Sequence, residues 1–274
     1  MLPFKNPPPN STFRLKKKKK RRAKVPKSGG FDHGEESNAS DKHLLATMTK
    51  EPFQPVRLYY SAPNISAVKA KLRSLKCMSE VPDQNCWEWI LEAEAASLRF
   101  GVGGYDDVPP ARRPIVIGRI RFPSSREMTL QTNSIDRAIE GARFFGPRLG
   151  PKVEALRVRV VNRFFAAEEG TPKDLVTMLD RDVTVIDPRL VEAELQNVRS
   201  LQELEEYYEE RSRSENDVPM VEDFPLCPEE ESPDFQHLAT TLKLRFARSF
   251  EHWQGNTHLT LAAIIRRTVE GQLS

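Results

Sequence analysis

Residues 114–165 read PIVIGRIRFPSSREMTLQTNSIDRAIEGARFFGPRLGPKVEALRVRVVNRFF, and the order strand, strand, helix, strand within this stretch decides the fold. Ile115–Phe122 (IVIGRIRF) concentrates β-branched and aromatic residues, and Pro123, which has no N–H to give a ladder, closes it. Glu127–Gln131 (EMTLQ) returns as the second arm of a hairpin. Asn133 or Ser134 can then cap a helix in which Ile135, Ala138, Ile139, Ala142, Phe145 and Leu149 fall at helical spacing. Gly146 and Pro147 are expected to end or distort its last turn. Leu156–Phe165 (LRVRVVNRFF) starts by alternating, with Leu156, Val158 and Val160 on one side and Arg157 and Arg159 on the other, the pattern of a half-buried strand.

Upstream of this stretch, Arg57–Ser61 (RLYYS) reads as a strand. Asn64 caps a helix whose apolar face is Ile65, Val68, Leu72 and Leu75, and Cys86–Glu92 (CWEWILE) alternates Trp87, Trp89 and Leu91 as a further strand. The predicted class is α+β: a single sheet layer of about five strands with helices on one face, a ferredoxin-like pattern plus an extra strand, followed by a helical C-terminal region. Five segments follow from composition. Residues 1–53 form a basic head, expected to be disordered because it lacks apolar periodicity. Residues 54–168 form the sheet domain, 169–213 short helices, 214–232 an acidic linker, and 233–274 a helical hairpin. The hairpin carries the stripe Leu238, Leu242, Phe246, Phe250 and Trp253.

A content of 38% apolar and 30% charged residues in 274 is that of a soluble globular chain with a polar excess. The longest apolar run, Leu259–Ile265, is far short of the roughly 20 residues that a membrane span needs, and prolines and lysines stand where a secretory h-region would lie. A cytoplasmic location without a transmembrane segment is therefore expected. The net charge of +3 hides opposed blocks: residues 1–50 hold thirteen Lys/Arg against four Asp/Glu, and residues 180–234 hold eighteen Asp/Glu against five Lys/Arg. Such blocks mark tails, linkers or interaction arms.

Catalytic signatures are missing. Gly101, Gly103 and Gly104 lack the third glycine of a dinucleotide loop, and no Walker, HExxH or GxSxG motif occurs. Cys77, Cys86 and Cys227 are spaced as neither a disulfide framework nor a zinc set and read as reduced thiols. Asp180, Asp182 and Asp187 are interrupted by Arg181 and Arg189, and the histidines share no helix face, so no metal or cofactor is expected.

What remains is electrostatic. Lys16, Lys17, Lys18, Lys19, Lys20, Arg21 and Arg22 form a continuous cationic block able to release counterions from a phosphate backbone. Arg119 and Arg121 share one face of a strand, and Arg157 and Arg159 share one face of another. If the two faces coincide beside Tyr59 or Trp87, cations and an aromatic plane are offered to single-stranded nucleic acid. The same alternation also keeps an outer sheet face soluble. The acidic stretch from Glu203 to Asp234 is a candidate intramolecular competitor for these cations. The reading is a non-enzymatic binding or regulatory protein that contacts nucleic acid, an acidic protein or another polyanionic partner through the basic head, whose cations would equally suit an anionic membrane surface. Two alternatives stand beside it: a protein–protein adaptor using the C-terminal helices, and an enzyme with a loop-built site around Tyr105, Asp106 and Asp107.

The stretches RLYY, CWEWILEAEA, RPIVIGRIRF and VVNRFF, in that order across residues 55–166, resemble an uncharacterised family of cytoplasmic bacterial proteins of cyanobacterial type. The resemblance implies no activity, and it transfers no functional residue.

Overall fold

The strands pair into one mixed sheet. In the computed structural model, residues 42–101, 103–172, 175–187, 218–226 and 235–273 are described, with isolated positions between 193 and 210. The strands are β1 (Val56–Ser61), β2 (Met78–Val81), β3 (Cys86–Ile90), β4 (Arg99–Phe100), β5 (Gly103–Gly104), β6 (Val116–Ser124), β7 (Glu127–Thr132), β8 (Glu154–Val161), β9 (Val183–Val185) and β10 (Val221–Pro225). The helices are α1 (Ile65–Ser74), α2 (Ile135–Leu149), α3 (Leu175–Met178), α4 (Phe235–Trp253) and α5 (Leu261–Leu273). Eight strands lie in the order β2-β3-β6-β7-β1-β8-β10-β9, and β4 pairs with β5 apart from them. Every pair in the large sheet is antiparallel except β10 with β9.

This corrects the expected sheet of about five strands on a ferredoxin-like pattern. A ferredoxin-like βαβ needs the strands that flank each helix to run parallel. That holds for β7–α2–β8, which straddle β1. It holds too for β1–α1–β2, but β2 (MSEV) lies at the sheet edge with β3, β6 and β7 between it and β1, where a ferredoxin-like unit interposes a single strand. The strands missed are short or acidic. Residues 221–225 (VEDFP), inside the stretch read as an acidic linker, pair with both β8 and β9. Their two carboxylates escape the cost of burial because arginines meet them on both faces of the sheet.

Alternation sends Val56, Leu58, Tyr60, Trp87, Trp89, Ile120, Met128, Leu130, Val158 and Val160 to one face, where α1, α2 and α4 complete the main core. Ser134 caps α2 by accepting from Arg137 N–H at 3.2 Å. The helix then runs to Leu149 with Pro147 inside its last turn, and Gly150 (φ 97°) ends it. Trp89 packs its ring 5.4 Å from Phe144 and 5.0 Å from Phe145. Gly141 permits that approach, since a Cβ there would stand 2.7 Å from Leu130 Cδ2.

Residues 42–53, placed by the sequence in the disordered head, pack against the sheet. Leu45 N–H donates to Phe165 O at 2.8 Å, and buried Glu51 accepts from Arg137 Nε at 2.5 Å. A second apolar cluster of Phe53, Val161, Phe165, Leu179 and Val221 closes one end of the opposite face.

Candidate polyanion-binding face

The face of the sheet turned away from α2 and α4 carries the arginines. In an antiparallel ladder, directly opposite residues share a face, and the observed registers give two rows. One runs Glu88, Arg119, Gln131, Arg57, Arg159, Asp223 across β3, β6, β7, β1, β8 and β10. The other runs Cys86, Arg121, Thr129, Tyr59, Arg157, Pro225. The four arginines singled out in the sequence, Arg119, Arg121, Arg157 and Arg159, therefore do share one face. Arg57 joins them, and the block Lys16–Arg22 lies outside the described residues.

Like charges directly opposite in a ladder repel, and two carboxylates relieve this. Arg57 Nη1 donates to Asp180 at 2.8 Å (Oδ1) and 3.1 Å (Oδ2), and Arg159 Nη1 reaches the same Oδ1 at 2.5 Å. Asp223, with 3% of its side chain exposed, accepts from Arg159 Nε at 2.6 Å and from Arg157 Nη1. Burial works against the charged form of Arg159. The bond to Asp223, together with Tyr59, Asp223 and Asp180, outweighs it, and the guanidinium pKa lies above its ordinary value. Arg119 Nη2 donates to Glu88 at 2.9 Å. Arg121 has neither an ion pair nor a side-chain hydrogen bond among the described residues, and it stands half-buried on the cleft wall.

Neither aromatic residue named in the sequence offers an open plane. Trp87 points to the helix-covered face and is 3% exposed, because in the β3–β6 register it opposes Ile120, a core residue. Tyr59 is on the right face but only 9% exposed. The Arg157 guanidinium lies 3.7 Å from its ring centroid, with Arg159 at 5.2 Å and Arg57 at 6.0 Å. The accessible side chains on this face are arginines, Arg157 at 37% and Arg119 at 48% of their full exposure.

These side chains wall a cleft of about 590 Å³, within the range of ligand sites. Its other lining includes Gln84 and Asn85 from the turn before β3, Phe122 and Pro123 from the end of β6, and Gln131. Five guanidinium groups share this face with five carboxylates, Glu88, Glu127, Glu154, Asp180 and Asp223, of which Glu127 and Asp180 line the cleft itself. Arginine forks matched to oxygen pairs are the chemistry of anion capture. Sequence reasoning missed Arg57, Gln131, Asp180 and Asp223. The alternation Val56, Arg57, Leu58, Tyr59 carried a signal for the first. The others come from segments far apart in the chain.

Other candidates have structural roles. Asp107 accepts from Gly104 N–H at 2.9 Å and pairs with Arg99 at 3.6 Å, while Tyr105 lies beneath the Arg113 guanidinium at 4.1 Å. The Cys77 thiol is pushed up to about 12 by burial first and then by Glu94, which makes it a poor nucleophile. Cys86 is buried, and Cys227 lies outside the described residues. Among the described residues no cluster of three or more His, Cys, Asp or Glu is placed to hold a metal ion, and no helix is long and apolar enough to cross a membrane. On α4, Phe246 packs against the core, its ring 5.3 Å from that of Phe164, whereas Phe250 is 40% exposed. Set against known proteins, the chain matches no family model, no curated protein and no solved structure.

Proposed function

We propose that this chain binds a phosphate-bearing polyanion, single-stranded nucleic acid in the first place, on the arginine face of its sheet. The observation that carries the reading is the convergence of Arg57, Arg119, Arg121, Arg157 and Arg159, from three strands, on one cleft where Arg121 has no counter-ion among the described residues. Recognition is by phosphate contact and not by base stacking, since Tyr59 is already covered by arginine. Binding is accordingly weak in sequence preference and strong in salt dependence. The block Lys16–Arg22 adds further cations of the same kind, read from the sequence alone.

The test is a titration of the full chain with a fluorescein-labelled oligothymidylate over a range of chloride concentrations, for wild type and for the double variant Arg119→Ala/Arg121→Ala. Loss of two phosphate contacts should reduce the slope of log K against log salt by about 1.4, at roughly 0.7 per contact on a single strand. An unchanged slope removes the sheet face from the binding site. A flat salt response in wild type removes polyanion binding altogether.

A further inference from the structure

The carboxylates on the arginine face are not equivalent. Asp223 is held in the sheet by β8 on one side and β9 on the other, and its side chain is 3% exposed. Glu88 and Glu127 belong to strands too. Asp180 does not: it stands on the turn that follows α3, where its N–H donates to Thr177 O at 3.0 Å. Although it bridges Arg57 and Arg159, its side chain keeps 46% of its exposure, at the wall of the cleft. Two guanidinium groups, each through its Nη1, converge on this one carboxylate, and convergent arginines are also the way a phosphate is held.

We infer that Asp180 is an intramolecular stand-in for one phosphate of the ligand. In the free protein its carboxylate occupies the position between Arg57 and Arg159, and it yields that position when a phosphate enters. The inference rests on the reading of this face as a polyanion site. No main-chain rearrangement is needed. Leu179 is fully buried in the second apolar cluster, and its carbonyl accepts from Arg159 Nη1 at 3.1 Å, so rotation of one half-exposed side chain suffices.

Two consequences follow. Ligand binding is an exchange of one anion for another, which keeps affinity low until the incoming group outcompetes a carboxylate. A phosphodiester carries one charge on two non-bridging oxygens, as a carboxylate does, so the exchange at Asp180 is even and the net gain comes from the neighbouring phosphates that meet Arg119 and Arg121. The acidic stretch Glu203–Asp234 contributes Asp223 to this face, and Asp180, in the turn before β9, is a second and more exposed carboxylate on the same arginines.

The experiment compares full-length wild type, Asp180→Asn and Asp182→Asn in the oligothymidylate titration. Asp182 is exposed, two residues further on, and has a positive φ of 49° that asparagine accommodates. Its variant removes the same formal charge without touching the arginines. Asp180→Asn is expected to bind more tightly at low salt, with a slope steeper by about 0.7 for each phosphate that the freed guanidinium groups take up. Asp182→Asn is expected to match wild type.

Equal tightening in both variants makes the effect one of net charge and overturns the inference. Unchanged binding in Asp180→Asn, with wild type binding normally, overturns the stand-in and leaves the reading of the face intact. Absence of binding in all three proteins overturns both. Asp180→Ser, which keeps a hydrogen-bond acceptor, is measured alongside. If neither Asp180 variant melts cooperatively, Asp180 is a structural counter-ion and the inference falls.

Discussion

The two faces of the sheet use charge in opposite ways. On the helix-covered face the ion pairs are buried: Glu51 takes Arg137, and Glu222 takes Arg245 at 2.5 Å and Arg248 at 3.2 Å. On the open face charges are partly solvated, Asp180 is shared between two arginines while 46% of its side chain stays exposed, and Arg121 has no partner among the described residues. A buried cluster costs desolvation on every member and is closed to ions from solvent, whereas a half-exposed arginine can wait for an anion from outside. The same residue types therefore hold the fold together on one side and leave a binding capacity on the other.

The sharpest way to break this comparison is to damage each face and ask which property suffers. Trp89→Ala should cost about 3–5 kcal/mol in denaturant unfolding, because the ring is fully buried against Phe144 and Phe145. Glu222→Gln should cost about 3 kcal/mol, since it strands two buried guanidinium groups.

The Glu222 pair also carries a pH signature. Burial favours its protonated form, but Arg245 and Arg248 outweigh burial and hold the carboxyl below its ordinary value. A depressed folded value means that the stabilisation is complete above the unfolded pKa of about 4.3 and is lost as pH falls through the folded one. The pH dependence of stability should therefore flatten below that point in Glu222→Gln, and an unaltered acid limb would deny the pair its role. The smallest effect on stability belongs to the open face. Arg119→Ala/Arg121→Ala should move the unfolding free energy by less than about 1 kcal/mol, while changing the salt slope of oligonucleotide binding. A large loss of stability there would make these arginines structural.

Much of the helix-covered face was legible in the sequence, because local periodicity reports burial on one side. β1, α1, β3, β6, β7, α2 and β8 each follow from an alternation or a helical stripe within about ten residues. What was not legible depends on partners distant in sequence. β10 reads as linker until Arg157 and Arg159 on one side and Arg245 and Arg248 on the other are brought to Asp223 and Glu222. β2 and β9, four and three residues long, are too short to show a period, yet β2 alone decides the direction of β3. The candidate site divides in the same way. Arg119, Arg121, Arg157 and Arg159 declare themselves by alternation, but their meeting on one face depends on β7 and β1 lying between β6 and β8. The expected aromatic plane failed because nothing in RLYYS tells that Arg157 covers Tyr59.

The most direct test of the central claim is a map of amide chemical shifts in the nitrogen-labelled full chain as oligothymidylate is added. The expected result is that perturbations gather at Arg57, Arg119, Arg121, Gln131, Arg157 and Asp180, with α2 and α4 unmoved. Perturbations centred on α4, or confined to the residues around Lys16–Arg22 with the sheet silent, would contradict it.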